Sequence, residues 1–407
     1  VTDELRRLMT EFETELAILK GRVDGLEAKV GELEATQFST TTKLKGQADF
    51  FLGAVSYDDR DDCNAAKAGA CEDDATTMSY RYTLNLNTTF TGKDLLYTRI
   101  RTGNMSNVWT NDNTYLSDAK SGTNALKIDK LWYTFPVGEE FKVTVGALVE
   151  NYYMVETPTR YKPILKAMKL GGYGILMGAS TGQGAGIQWR QNVAPGEAAW
   201  NAAASYVADG NEGADSSSNK GMFGEDTDGL FLSQIGYGNR KWYISGLYAH
   251  KQGSGGSDPA EGYSTPAVNK DDAALNAFGI RSYWSPEESG IVPTISAGID
   301  FGFNDAKADG QVEESFGWMV GLNWKNAFVD GNKLGVGFGS YSSYATSMKG
   351  DSSPDDENFA FEAYYDYQVS DNVTVTPAVF WVQDADGNAS VDGSDTLGAL
   401  IKTTFKF

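Results

Sequence analysis

The 407 residues carry a net charge of −21 and an isoelectric point near 4.5. No basic surplus is available to neutralise phosphates, which argues against a nucleic-acid partner. No run of roughly 18 apolar residues occurs, which excludes a transmembrane helix, while 46 glycines and 21 tyrosines against 10 prolines suit strands and tight turns.

The chain opens inside a helical pattern, so residue 1 is not expected to be its natural start. Leu5, Phe12, Leu19, Leu26 and Leu33 recur every seven residues, interleaved with Met9, Leu16, Val23 and Val30. This a/d repeat predicts a coiled coil over residues 1–38. Gly21, Gly25 and Gly31 fall off the seam. In a parallel coil the flanking positions pair Glu15 with Lys20, Arg22 with Glu27 and Lys29 with Glu34, all of opposite sign. Parallel self-association in register is therefore expected, with the copy number open. A solvated helix on a monomer is the plainer alternative.

After Phe38 the period changes to two. Segment 43–55 alternates Leu44, Gly46, Ala48, Phe50 and Leu52 with Lys45, Gln47, Asp49 and Phe51. In segment 80–90, Tyr82, Leu84, Leu86 and Phe90 oppose Arg81, Thr83, Asn85 and Asn87. Comparable segments follow at 94–102, 126–135, 141–150, 184–191, 197–207, 229–237, 241–251, 273–284, 291–303, 314–324, 333–343, 358–368, 372–382 and 395–407, sixteen in all.

Their connections alternate between short turns such as "TGKD", "GNRK" and "VSDN" and long stretches rich in Asp, Gly, Ser and Asn. An even number of ten-residue strands with short turns on one side and long loops on the other predicts an all-β transmembrane barrel of about 16 antiparallel strands over residues 39–407. A sandwich or propeller would also alternate, but would not sort its loops by length. A mean hydropathy of −0.38 fits a barrel, because only every second strand residue meets lipid.

The first long connection holds both cysteines, Cys63 and Cys71, in "DDRDDCNAAKAGACEDD". Their acidic surroundings offer neither thiolate activation nor a zinc ligand set. A structural disulfide in an oxidising compartment is expected, with chance thiols as the alternative.

Four stretches, "FSTTTKLKGQADF", "LNLNTTFTGKDLLYTRI", "DKLWYTFPVG" and "YYDYQVSDNVTVTPAVFW", together with the preceding heptads, resemble the cyanobacterial outer-membrane porins, often labelled iron-uptake or carbohydrate-type. The resemblance implies a channel in the outer membrane, normally a homotrimer, with the coiled coil in the periplasm. It also implies an upstream surface-layer-homology domain that grips a peptidoglycan-linked wall polymer. General porins fold their third outer loop into the lumen. By that analogy residues 151–183 form the constriction, and Arg160, Lys162, Lys166 and Lys169 line it.

Strand parity adds inward charges: Arg81, Arg99, Arg101 and Arg190 on one wall, and Asp300, Glu362 and Asp366 on staves roughly opposite. A transverse field that orients polar solutes and passes ions of both signs is expected, with wall-stiffening salt bridges as the alternative. Arg281 and Asp49 do not sort cleanly in this scheme. Tyr133, Phe135, Trp242, Trp284, Trp381, Phe405 and Phe407 are candidates for aromatic girdles at the membrane interfaces. The closing strand, "TLGALIKTTFKF", presents an apolar set ending in Phe405 and Phe407, and resembles the signal read by outer-membrane assembly machinery.

"GASTG" around Ser180 matches a nucleophile-elbow pattern, but no helix follows and His250 is the single histidine. No enzyme activity, cofactor or metal site is expected. The predicted function is passive diffusion of small hydrophilic solutes and inorganic ions. A structural tether between outer membrane and wall is the alternative.

Overall fold

Alternate residues of a strand point to opposite faces, so an apolar/polar period of two yields a sheet with one wet and one dry side. The computed structural model describes residues 2–36, 41–57, 75–105, 109, 114–122, 124–168, 176, 181–252, 274–287, 290–305, 312–340, 343–350, 359–383 and 395–407. Cys63 and Cys71 lie outside them.

Two units are present, Val1–Leu44 and Lys45–Phe407. The first is helix α1 (Thr2–Thr36). Its heptad residues Leu5, Met9, Phe12, Leu16, Leu19, Val23 and Leu26 are all exposed, Leu16 to 64%. The side chains of Val30 and Leu33 fall outside the described set.

The second unit is a sheet closed on itself. Its strands are β1 (Thr42–Tyr57), β2 (Thr77–Thr88), β3 (Leu95–Gly103), β4 (Lys127–Val137), β5 (Phe141–Val149), β6 (Gly182–Arg190), β7 (Ala199–Ala208), β8 (Gly229–Gly238) and β9 (Trp242–Gln252). They continue with β10 (Ala274–Trp284), β11 (Thr294–Asn304), β12 (Val312–Lys325), β13 (Lys333–Ser340), β14 (Tyr344–Met348), β15 (Phe359–Ser370), β16 (Val373–Val382) and β17 (Thr396–Lys406). Each pairs antiparallel with its neighbours, and β1 closes on β17 in a register running from Gln47↔Lys406 to Tyr57↔Thr396.

The 17 segments make the 16 staves of a closed barrel, because β13 and β14 run end to end along β12. Residues 344–348 were expected in a loop and instead extend this stave. At the break, Ser340 Oγ accepts from Trp318 N at 3.0 Å and donates to Trp318 O at 3.2 Å, standing in for the interrupted ladder.

Short turns carry their own chemistry. Asp94 Oδ1 accepts from Thr89 Oγ1, Phe90 N and Thr91 N at 2.7, 3.0 and 2.9 Å, which ties β2 to β3. Asn239 Oδ1 does the same between β8 and β9, accepting from Lys241 N and Trp242 N. Tyr133 and the Asp94 turn also reinforce each other, since Tyr133 Oη donates to Asp94 Oδ2 at 2.7 Å.

The outward set is largely apolar, and on many staves exposed, as at Ile187, Ile235, Phe278, Val379 and Ile401. No described helix is long and apolar enough to cross a membrane, and a closed barrel leaves no open sheet edge. Trp242 and Trp284 sit opposite each other at the short-turn ends of β9 and β10. Tyr133 and Phe135 stack at 5.6 Å near the same end of β4. Trp381 lies at the long-loop end, where its indole donates to Asp395.

The last residue is seated on the first strand. Phe407 N donates to Gly46 O at 3.1 Å and Gly46 N donates to Phe407 O at 2.7 Å. A Cβ at Gly46 would overlap the Phe407 ring, so this close approach needs glycine. Phe405 meets Phe50 edge-on at 5.9 Å.

Candidate pore constriction

Among the described residues, parts of two long loops line the inside of the barrel: L2 (within 104–126, between β3 and β4) and L3 (within 150–181, between β5 and β6). A loop inside a barrel must satisfy its backbone groups there, and L3 does so from one stave after another. Asn151 Nδ2 donates to Ser205 Oγ and Leu230 O at 3.2 and 3.1 Å. Glu156 N and O are held by the side-chain amide of Gln234 at 2.8 and 3.1 Å. Ser296 Oγ accepts from Arg160 N and Tyr161 N at 2.8 and 3.0 Å.

The run ends on β15. The Glu362 carboxylate accepts from Tyr161 Oη at 2.7 Å, Ile164 N at 3.0 Å and Leu165 N at 2.7 Å. Burial, and then the neighbouring Glu362 charge, push the Tyr161 phenol above its usual range. Glycines on the wall make room for this path. A Cβ at Gly321 or Gly337 would run into Tyr161, one at Gly279 into Leu176, and one at Gly186 into Met154.

L2 completes the inner belt. Leu116 bridges Leu165, Ser117 N donates to Ile164 O at 2.6 Å, and Lys166 N donates to Tyr115 O at 2.8 Å. Trp109 and Leu116 of L2, Ile164 and Leu165 of L3, and Phe51, Phe380 and Leu400 of the wall share one buried apolar cluster. Each such side chain contributes about 1.5–3 kcal/mol by leaving water, so the loops are seated against this side of the wall. Asp118 of L2 then bridges Arg81 on β2 and Lys402 on β17, at 2.8 and 3.0 Å, across the strand that closes the barrel.

The inward charges sort differently from parity alone. Arg81 is buried between Asp49 and Asp118. Arg281, fully buried, pairs with Asp300. Glu362, fully buried, lies under L3. Asp366 is half-buried and accepts from Thr376 Oγ1 at 2.7 Å. The acidic wall expected to face the lumen is thus largely engaged: Asp300 is matched by a neighbouring cation and Glu362 by loop donors. Parity gives the face of a side chain, not the partner that reaches it across the lumen. The same pairings place Asp49 and Arg281, which had no assignment.

On the opposite side, Arg99 and Arg101 both reach Asp129, at 2.8 and 2.6 Å. Arg99 also donates to Tyr153 Oη of L3 at 3.2 Å. Arg190 and Glu156 pair at 3.0 Å, both about half-exposed. Arg160 stacks over Tyr283 at 4.5 Å and donates to its hydroxyl at 3.0 Å. Lys162 is exposed, Lys166 stands over the Tyr115 ring at 4.1 Å, and Lys169 lies outside the described residues.

Asp129 escaped strand parity, which puts it with Tyr133 and Phe135 on the lipid side. The β3–β4 register shifts between Arg99↔Lys130 and Ile100↔Ile128, and this bulge turns Asp129 inward. The available signal was an acid at a lipid-facing position, an expensive placement that a bulge removes. Asp118, Lys120 and Tyr153 are on loops, where no periodicity marks them. Ser180 lies outside the described residues. His250 sits on the outer face with Nδ1 3.0 Å from Asn276 Oδ1.

Residues 2–407 match the OprB family, described as carbohydrate-selective porin. An uncharacterised protein of Nostoc sp. PCC 7120, alr4550, is 30% identical over 448 residues, which cover 99% of this chain and 72% of the relative. Among solved structures, the high-pH form of Pseudomonas putida OprB superposes with a TM-score of 0.59 at 12% identity, covering 93% of this chain and 96% of that one. In-vitro folded OmpT of Vibrio cholerae, in its trimer form, gives 0.54 at 12% identity, with 90% and 99% covered. These structural likenesses concern the fold.

Proposed function

The chain belongs to the OprB family and is an outer-membrane porin, and from that premise we propose that it passes small hydrophilic solutes and inorganic ions by passive diffusion through a constriction formed by L3, L2 and the β3–β4 wall. The observation that carries this reading is the seating of L3. Hydrogen bonds from β8, β11 and β15 hold it against the inside of the wall, where it would narrow the lumen. Charged side chains at the narrowest point then select what passes.

Planar-bilayer recording of the purified protein tests the proposal. Discrete conductance steps are expected, and a stable but electrically silent oligomer would instead favour a tether.

A second reading is compatible with the first and rests on α1. Its exposed heptad face and its three opposite-sign flanking pairs suit a parallel coiled coil of this chain with itself. The proposed assembly is a homotrimer, the coil is placed in the periplasm, and a wall polymer is the proposed partner of sequence preceding it. The trimer form of OmpT supports the copy number by analogy of fold. A disulfide between Cys63 and Cys71 is proposed for the first outer loop.

Phe405 and Phe407 are proposed as the assembly signal. Deleting Phe407 is expected to lower the yield of inserted barrel while leaving the conductance of assembled molecules unchanged. Gly46→Val, which collides with the same ring, should reproduce that loss with the terminus intact. Normal yields of heat-modifiable protein for both variants would refute this role.

A further inference from the structure

The β3–β4 wall carries an unbalanced charge. Arg99 and Arg101 stand on β3, and Lys127 faces Arg101 from β4. L2 brings Lys120 beside them. Burial, and then the proximity of Arg101, lower the Lys120 pKa from its usual value, as expected for an amine crowded by like charge. The one carboxylate among them, Asp129, is shared by both arginines. Adjacent Lys130 is matched by Glu150 and adds nothing to the sum. Four cations against one carboxylate leave a surplus of three positive charges. Lys127 is exposed and Lys120 half-exposed, and neither forms an ion pair among the described residues.

The far wall offsets little of this surplus, with Asp366, held by the Thr376 hydroxyl, as an inward acid without a cation among the described pairs. Asp300 is matched by Arg281, Asp49 by Arg81, and Glu362 lies under L3 away from the lumen. L3 itself adds exposed Arg160 and Lys162. The overall charge of −21 points the other way, but charges more than about 8 Å from the ion path are largely screened at physiological salt.

We propose that Arg99, Arg101, Lys120 and Lys127 form an anion site in the pore wall. The channel therefore favours small anions, notably inorganic oxyanions and carboxylates, over cations. This rests on the porin reading above. The shared carboxylate holds the two arginines side by side, and guanidinium N–H pairs match the spacing of oxyanion oxygens. A narrow, low-dielectric opening lined by one sign of charge concentrates the opposite ion.

The test uses the full chain in planar bilayers under a potassium chloride gradient. The reversal potential is expected on the chloride side, with chloride favoured roughly tenfold at low salt and less as salt rises. The double variant K120E/K127E turns four cations and one acid into two cations and three acids, and should move the potential to the potassium side. Sulfate added to the unaltered protein gives a second reading and should reduce the chloride current.

Channel steps with a potassium-side potential, or indifference to sulfate, would overturn the anion site and leave the porin intact. An unmoved potential in a heat-modifiable, folded double variant would do the same. Absence of any channel steps would overturn both.

Discussion

Glu362→Ala is expected to raise single-channel conductance and open-channel noise while the barrel remains folded. The Glu362 carboxylate is the acceptor for one hydroxyl and two backbone N–H groups of L3, all buried. Its removal leaves three donors without partners, at about 1–3 kcal/mol each. A shift on the order of 3 kcal/mol multiplies the unseated population of the loop roughly a hundredfold.

The wall is less affected, because β15 keeps its ladder to β13 and β16. Glu362→Gln should be intermediate, since its amide oxygen still accepts while its NH2 group meets another donor. The measurement is unitary conductance with current variance, beside a heat-modifiability gel that reports the barrel. Wild-type conductance and noise in Glu362→Ala would show that the apolar seat holds L3 alone.

The second large effect falls on the seam. Asp49 is fully buried on β1. It accepts from Arg81 Nε and Nη2 of β2 at 2.9 and 2.6 Å, from Thr404 Oγ1 of β17 at 2.6 Å, and from Gln47 Nε2 at 2.9 and 3.0 Å. One carboxylate thus joins the first stave to both its neighbours where the barrel closes.

Asp49→Ala leaves Arg81 in the wall with Asp118 as its carboxylate partner, and breaking a buried pair costs about 3–5 kcal/mol. The expected result is a marked loss of folded, heat-modifiable protein, with normal conductance in molecules that assemble. The double variant Asp49→Leu/Arg81→Met removes both charges and should recover part of the yield, because burying neither ion avoids the desolvation cost. A full yield for Asp49→Ala, or no recovery in the double variant, would count against a seam held by this pair.

The staves, their order and their faces were legible in the chain itself. A period of two over sixteen segments sets which side chains meet lipid, and alternating loop lengths set the antiparallel path. The heptads at residues 5–33 identify the helix with equal directness. The candidate site was legible only in part. Arg99, Arg101 and Glu362 were recognisable as inward by parity, but their roles were not. Glu362 holds a loop, whereas it had been expected to face the ion path, and Asp129 was hidden by one bulge. L2 carries Asp118 and Lys120 into the lumen from a stretch with no periodicity at all.

Sequence alone therefore determined the barrel and its two faces, because strand geometry repeats locally and each residue's side follows from its neighbours two positions away. The tertiary structure decided which charges cancel, since those pairs join residues apart in the chain, such as Asp118 with Lys402 and Asp49 with Arg81. It also explained the closing strand. Gly46 on the first strand leaves the space that the Phe407 ring fills.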